Sequence, residues 1–218
     1  MRQSLIAAAA LSLSACSHFF IAPDSYKQVK KVALVQYAIN PYLLVGTVNA
    51  AEVKTKAATA DFASFGKILG AKGLTVMPLE EMTAKAGYVS AGDATLAGYF
   101  TAPGLRYLTG RAGVETATLT PAAAQKLCAD LGVDAVALAY GSWDLDFYAL
   151  GFKAHAMPTI TVNLFDKTGA RVWGDQASGT SGDGVASPGG IIADSVDNTT
   201  AIFSQGFTAA ITQMTARL

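Results

Sequence analysis

Histidine and cysteine are scarce in this chain of 218 residues, which contains two of each. His18 lies close to the amino terminus, so His155 is the only histidine in the body of the chain. A single histidine cannot assemble a histidine-based metal cluster or a histidine dyad within one chain. The sequence therefore predicts a protein without a metal ion, without a cofactor and without enzymatic activity.

Charge is also sparse, and neither sign is in excess. The chain has 16 basic and 16 acidic residues, which together make up 15% of it, whereas 51% of the residues are apolar. This balance gives no electrostatic basis for binding nucleic acid. A surface so poor in charge must instead carry neutral polar groups or a face that contacts another molecule.

Apolar runs long enough to span a membrane are missing as well. The apolar run at residues 5–13 is about half of the ~20 residues that a helix needs to cross a bilayer. The run ends at Leu13-Ser14-Ala15-Cys16, which resembles a bacterial lipobox. The resemblance implies that residues 1–15 are a lipoprotein signal peptide. It also implies that Cys16 becomes the first mature residue and carries diacylglycerol and an N-linked acyl chain such as palmitate.

An acylated Cys16 would attach the protein to the lipid bilayer of the cell envelope. Ser17 follows the anchor instead of an aspartate, which favours the outer membrane and a domain that faces the periplasm. Residues 16–29 are then predicted to form a lipidated tether, and residues 30–218 a single domain. Because Cys16 is used for the anchor, Cys128 has no intramolecular disulfide partner and is predicted to be a buried, small apolar side chain.

Hydrophobic periodicity predicts alternating strands and helices along the chain. Strands are predicted at 31–37, 74–77 and 133–140, a β-hairpin at 158–174, and helices at 51–71, 78–82, 121–131 and 197–218. This order predicts an α/β sandwich, a single domain in which a mixed β-sheet is covered by helices and which ends in a C-terminal helix. Residues 87–119 show no sustained period and are predicted to form an irregular insertion.

Two segments carry a wider resemblance. The segment Gly132-Val-Asp-Ala-Val-Ala-Leu-Ala-Tyr-Gly141 and the hairpin segment Val162-Asn-Leu-Phe-Asp-Lys-Thr-Gly-Ala-Arg-Val-Trp173 are similar to the sheet core of periplasmic lipoproteins with a Tol-propeller amino-terminal-like fold. That group includes the curli secretion-channel lipoprotein and lipoprotein activators of penicillin-binding proteins. The resemblance implies an assembly, scaffold or activator module and leaves the function itself unspecified.

The predicted insertion contains a candidate contact face. Aromatic and arginine side chains are typical anchors of protein interfaces, and several occur here among glycines. The candidate residues are Tyr99, Phe100, Leu105, Arg106, Tyr107 and Arg111. The alternative interpretation is an ordered long loop that packs over the sheet.

The sequence favours a non-enzymatic interaction or assembly module that binds an envelope protein or a second copy of itself. Two other functions stay open. A ligand-binding protein or hydrolase could use Asp144 and Asp146 together with the glycine-rich residues 179–190. Ser181 in that segment lacks a following histidine that would activate it, so a flexible connector is the favoured interpretation. An oligomeric secretion-channel component would need strongly alternating strands of ~9–11 residues, which the low-charge residues 40–49 and 88–107 do not show.

Overall fold

The computed structural model of the chain describes residues 19–40, 50–85, 100–102, 105–107, 119–188 and 192–218. The predicted signal peptide, with the lipobox residues 13–16, lies outside the described residues, and so does most of the predicted insertion. The described strands are β1 (Phe20–Ile21), β2 (Lys31–Asn40), β3 (Thr75–Val76), β4 (Phe100–Ala102), β5 (Leu105–Tyr107), β6 (Ala135–Ser142), β7 (Leu145–Tyr148), β8 (Lys153–Ala156), β9 (Thr159–Asp166), β10 (Arg171–Ser178) and β11 (Gly184–Ala186). The described helices are α1 (Pro23–Tyr26), α2 (Ala50–Gly70), α3 (Leu79–Thr83), α4 (Pro121–Leu131) and α5 (Val196–Thr215).

The large sheet is mixed, as predicted. Its strands follow the order β1-β10-β9-β6-β2-β5-β4, and β3 pairs with the beginning of β2. The central strand β2 runs parallel to β3, β5 and β6, whereas the pairs from β6 through β9 and β10 to β1 are antiparallel. Residues 135–141 of β6 are all buried, so both faces of this strand are covered. The predicted α/β class and the C-terminal helix are confirmed.

Asp134 fixes the register between β2 and β6. Its carboxylate accepts hydrogen bonds from the main-chain N–H groups of Lys30 and Lys31, at 3.0 and 2.9 Å. The hydrogen bond from Lys31 is the main reason that the pKa of Asp134 lies below its ordinary value. Since β2 and β6 are far apart in sequence, this side chain ties together two strands that no local turn could align.

Helices α2 and α5 pack against each other, and α5 also packs against β8, β9 and β10. Helix α5 begins at Ser195, whose hydroxyl accepts the N–H of Asn198 as an N-cap. The apolar stripe of this helix is buried: Ile202, Phe203, Phe207, Ile211 and Met214. Phe203 stacks on Trp143 with ring centroids 4.1 Å apart, which fixes the end of β6 against the helix.

Helix α4 has the termini that the sequence predicts. The Thr120 hydroxyl accepts the N–H of Ala123, Pro121 occupies the first turn, and Gly132 ends the helix with φ +68°. Cys128 on this helix is buried, as predicted, and its thiol lies 3.9 Å from the carbonyl oxygen of Phe165. Burial is the main cause that raises the pKa of this thiol to about 12.

Cys128 is therefore expected to be unreactive in the folded protein. A maleimide reagent at pH 8 should leave Cys128 unmodified for hours, because the thiol is buried and its thiolate is unfavourable. The same reagent should modify one equivalent of Cys128 when the protein is unfolded in urea. Intact-mass spectrometry of both samples measures the difference, and rapid modification of the folded protein would contradict the expectation.

A second sheet of three antiparallel strands has the order β11-β8-β7. The sequence favours a flexible connector over 179–190, and the described part of the chain corrects this expectation. His155 lies in β8, and residues 184–186 form β11, which pairs with β8. The pairing joins segments about 30 residues apart, so periodicity within either segment could not indicate it.

The domain includes residues that the sequence assigns to the tether. Strand β1 pairs with β10, with Phe20 opposite Gly174 and Ile21 opposite Trp173. The N–H of Ala22 then donates to the carbonyl oxygen of Val172 at 2.9 Å. The chain is consequently attached to the sheet from Phe20 onward. None of the helices in the described ranges is long and apolar enough to cross a membrane.

Candidate interaction surface

The turn between β7 and β8 carries an exposed apolar cluster, which we call the hairpin tip. It comprises Phe147, Leu150 and Phe152, whose exposed fractions are 45%, 98% and 64%. These three residues and the neighbouring Tyr148 account for four of the five large apolar side chains that are exposed in the described residues. Such clustering distinguishes the hairpin tip from the scattered apolar residues that any surface carries.

The backbone of the hairpin tip is strained. Ala149, Leu150 and Gly151 have φ angles of +51°, +58° and +84°, so three successive residues are left-handed. This conformation suits Gly151 but costs a residue such as leucine roughly 1 kcal/mol or more. Leu150 thus combines an unfavourable backbone with an almost completely exposed apolar side chain. Neither property stabilises the folded monomer, and strain that persists in this way is typical of functional positions.

The second sheet holds the hairpin tip in place. The rings of Tyr148 and His155 stack with centroids 4.4 Å apart, across paired strands β7 and β8. The carbonyl oxygen of Phe152 accepts the N–H of Ser187 at 2.8 Å, and β11 pairs with β8 beside it. A third strand makes the β7–β8 hairpin more stable than an isolated two-stranded hairpin would be. The apolar side chains are therefore presented on a defined backbone.

Ser181 supports the second sheet and is not arranged as a nucleophile. Its hydroxyl accepts the N–H of Ala156 at 3.0 Å and donates to the carbonyl oxygen of Asp183 at 2.6 Å. The side chain is buried, and its hydrogen bond with Ala156, together with the 2.9 Å bond from the Ser181 N–H to the Ala156 carbonyl oxygen, joins the glycine-rich segment to β8. His155 Nδ1 lies 3.1 Å from the same carbonyl oxygen of Asp183. The segment is thus tied to β8 through Ser181 and to α5 through Asp183, whose carboxylate accepts a hydrogen bond from the Gln205 side chain at 2.8 Å.

The predicted carboxylate pair is absent from the lining of the groove beside that segment. Asp144 lies 3.3 Å from the Ser142 hydroxyl, which donates to it, and Asp146 is exposed on β7 opposite His155. An open groove of 520 Å³ runs between the segment and α5, and its lining contains neither aspartate: Thr180, Gly182, Ala201, Ser204, Gln205, Thr208 and Ala209. In the described parts of the chain, no group of three or more histidine, cysteine, aspartate or glutamate side chains could hold a metal ion.

The contact face predicted in the insertion falls mainly outside the described side chains. Phe100 lies in β4 and residues 105–107 in β5, so their backbone forms one edge of the large sheet. Tyr99 and Arg111 lie outside the described residues. That contact face stays a prediction, and the hairpin tip was not predicted from the sequence. The available signal was the apolar sequence Phe147–Phe152 around a glycine.

A second apolar feature is a cleft of 330 Å³ between α2, β3 and α3. Its walls are mostly apolar and include Phe62, Ala63, Val76 and Leu79, with Lys67 at its margin. The volume is at the lower end of the range typical of ligand pockets. One or two apolar side chains of another molecule would suit it better than a large polar ligand.

A buried polar cluster lies beneath α2 and α5. The Tyr37 hydroxyl donates to Asp61 Oδ2 at 2.7 Å, and both side chains are completely buried. Burial raises the pKa of Asp61 to about 8, although Tyr37 and Ser204 act in the opposite direction. Burial, followed by the nearby Asp61, also raises the pKa of Tyr37. Among the described residues, Asp61 Oδ1 has no hydrogen bond of good geometry, which suits a neutral carboxylic acid.

The fold and the surface together define a small α/β domain with a mixed sheet, a second three-stranded sheet and one exposed apolar hairpin tip. No family model and no curated protein matches the sequence.

Several solved structures are similar to the chain at low identity. The lipoprotein GNA1162 from Neisseria meningitidis is 16% identical, covers 71% of this chain and 83% of its own, and has a TM-score of 0.37. The hypothetical protein CT253 from Chlamydia trachomatis is 12% identical over 87% of this chain and 95% of its own, with a TM-score of 0.42. PelC from Paraburkholderia phytofirmans, solved as a dodecamer, is 12% identical over 87% and 86%, with a TM-score of 0.33.

Proposed function

We propose that this protein is a lipoprotein that is anchored in the outer membrane through acylated Cys16 and faces the periplasm. Its proposed function is that of a non-enzymatic interaction module for envelope assembly. The hairpin tip is the observation that carries the proposal. It exposes Phe147, Leu150 and Phe152 on a supported backbone and keeps Leu150 in a strained conformation. The lipobox-like Leu13-Ser14-Ala15-Cys16 supports the location.

The chemistry of the hairpin tip suits an apolar pocket on a protein partner. A few buried aromatic and aliphatic anchors supply most of the binding energy in protein interfaces. Here the anchors are already ordered by the strands β7 and β8, so little conformational entropy would be lost on binding. A charged neighbour lies on each side, Asp146 on β7 and Lys153 on β8, and these can orient the partner without dominating its affinity.

Replacing Leu150 with asparagine is expected to separate binding from stability. Asparagine accepts the left-handed conformation more readily than leucine, so the thermal midpoint should stay unchanged or rise. Loss of the apolar anchor should weaken partner binding by about tenfold, which corresponds to about 1.4 kcal/mol. The measurement is photo-crosslinking in cells from a photoreactive residue at position 147, with and without Leu150→Asn.

A photoreactive residue at Lys72 is the matched control, since that position is exposed in the turn after α2. The proposal expects an adduct with an envelope protein from position 147, none from position 72, and loss of the adduct in Leu150→Asn. Equal adducts from both positions, or adducts that Leu150→Asn does not change, would contradict it. A Leu150→Asn variant that loses its fold by circular dichroism would also contradict the reasoning about strain.

A second copy of the chain is the other candidate partner, because the chain also carries the apolar cleft beside Phe62. A tip that enters the cleft of the next copy forms a head-to-tail contact, which generates a ring or a filament. Ala63 is exposed at the cleft, so Ala63→Phe would fill it with little effect on the core. Light scattering should then show a mass that both Leu150→Asn and Ala63→Phe reduce. A monomer at all concentrations would exclude self-association.

A further inference from the structure

The amino-terminal edge of the large sheet has a composition suited to a lipid surface. Phe20 is 38% exposed, and the guanidinium carbon of Arg171 lies 4.6 Å from the centre of its ring. Next to it, the guanidinium carbon of Arg217 lies 5.7 Å from the ring centre of Phe19. Phenylalanine combined with lysine or arginine is also found in protein segments that lie at a lipid surface.

The distance to the proposed anchor is short. This step rests on the proposed acylation of Cys16. Strand β1 pairs with β10 from Phe20 onward, and Phe19 already packs against the core. Only Ser17 and His18 separate the acylated residue from the first packed one. A fully extended chain advances at most about 3.6 Å per residue, so the α-carbon of Phe19 lies within roughly 11 Å of that of Cys16.

The thickness of the headgroup layer then decides where the edge must lie. Each leaflet adds roughly 5–7 Å of polar headgroup to the hydrocarbon core. A span of roughly 11 Å therefore carries the chain through the headgroups and little further. The domain cannot swing freely on so short a connection.

We infer that the edge formed by β1, β10 and α1 is a membrane-docking face that binds phosphate headgroups of the lipid surface. Arg171 is exposed, and its guanidinium carries donors that can bind a phosphate. Lys27, just after α1, adds a second exposed cation, and Asp24 is the exposed acid that opposes them. Arg217 is different, because it pairs with the buried Asp175 at 2.7 Å and so contributes mainly its stacking on Phe19.

This arrangement also predicts the orientation of the domain. Strand β3 lies on the far side of β2, five strand spacings from β1, which amounts to roughly 24 Å. The large sheet therefore stands on its β1 edge. The turn after α2 leads into β3, so Lys72 in that turn lies away from the bilayer.

The test uses the full, acylated protein reconstituted in vesicles of phosphatidylcholine with phosphatidylglycerol. Single fluorophores are attached at Lys27→Cys or, as the matched control, at Lys72→Cys, because native Cys128 is buried. A nitroxide on the lipid headgroup quenches only fluorophores close to it. We expect strong quenching at position 27 and little at position 72. Equal quenching at both positions would overturn the proposed orientation.

A longer connection between Cys16 and the domain tests whether the β1 edge itself binds the lipid surface. Twenty Gly/Ser residues are inserted between Ser17 and His18, so that the anchor no longer holds the domain down. The edge should still dock, and quenching at position 27 should persist. In anionic vesicles, Arg171→Ser should then lower the ratio of docked to undocked protein by about fivefold. Lys72→Ser should leave this ratio unchanged. Loss of quenching as soon as the connection is lengthened would overturn the docking face.

A protein that is not acylated at Cys16 gives a different result from an acylated protein that does not dock. If Cys16 is not acylated, mass spectrometry of the protein from membranes shows no lipid, and Cys16→Ser does not change its membrane fraction. That outcome rejects the proposed location. An acylated protein whose fluorophore at position 27 is not quenched rejects the docking face alone.

Discussion

Replacing Asp61 with asparagine is expected to remove a large part of the pH dependence of stability between pH 5 and pH 8. The pKa of Asp61 rises to about 8 in the folded protein because the side chain is buried, whereas the unfolded chain has an ordinary value near 3.9. Between these two values the folded state keeps a proton that the unfolded state releases. The free energy of unfolding therefore falls as the pH rises, by at most about 1.4 kcal/mol per pH unit.

The same reasoning gives the sign at both ends of the range. Below about pH 4 the carboxyl is protonated in both states, and stability is highest with respect to this group. Above about pH 8 it is ionised in both states, and the full cost of a buried charge is present. The asparagine side chain would be neutral throughout and could still accept the hydrogen bond of Tyr37. The variant should match the natural protein below about pH 4, exceed it by about 1.5 kcal/mol near pH 5 and exceed it by several kcal/mol near pH 8.

Urea unfolding at four pH values between 5 and 8 measures this effect. The difference between the two stability curves is the informative quantity, because the other titrating groups are common to both proteins. Asp146→Asn is the control, since that carboxylate is exposed on β7. Parallel curves for the natural protein and Asp61→Asn would show that Asp61 is ionised in the folded state.

Gly179→Ala is expected to destabilise the protein by about 3 kcal/mol or more. A Cβ atom at this position would collide with the carbonyl oxygen of Gly206 and the amide nitrogen of Ala210. Both are backbone atoms of α5, so the helix itself would have to move away from the end of β10. Displacing α5 would also disturb the stacking of Phe203 on Trp143.

Gly70→Ala is the matched control, because nothing lies within 4 Å of a Cβ added there. Gly70 is the last residue of α2, where alanine is expected to be neutral or to stabilise by up to about 1 kcal/mol. Thermal and urea unfolding of both variants measures the contrast. A Gly179→Ala protein as stable as Gly70→Ala would mean that α5 is packed less closely than the structure has it.

The elements with a long, clear period could be predicted from the sequence. Helix α5 has an apolar stripe at helical spacing, and the β9–β10 hairpin alternates on both sides of a turn at Gly169. Helix α4 carries its own start and stop signals in Thr120, Pro121 and Gly132. These features depend on residues close in sequence, which is why local reasoning succeeds for them.

The second sheet and the hairpin tip could not be predicted in this way. Strand β11 has three residues, and its partner β8 is distant in sequence, so neither contains enough residues to show a period. Leucine has no preference for the left-handed conformation that Leu150 adopts. Only Gly151 signals a turn there, and it does not indicate which side chains the turn exposes.

The burial of Asp61 is indicated by the spacing of apolar residues along α2. Ala57, Asp61, Phe65 and Leu69 follow one another at intervals of four residues along α2, and all four are buried. An acid within such an apolar stripe must be buried with a partner or neutralised. Its partner, Tyr37 on β2, could not be identified without the pairing of strand and helix.

The position of β2 at the centre of the large sheet has a kinetic consequence. The hydrogen bonds from Lys30 and Lys31 to Asp134 join residues 104 and 103 positions apart. Contacts of this span form late, because the entropy of closing so long a loop is lost before they form. The meander β6–β9–β10 is local, and we expect it to fold first and to serve as the template on which β2 docks. A chain that emerges with its amino terminus first can pair β2 with β3 and β5, but the side of β2 that binds β6 stays unpaired until about 100 further residues have emerged.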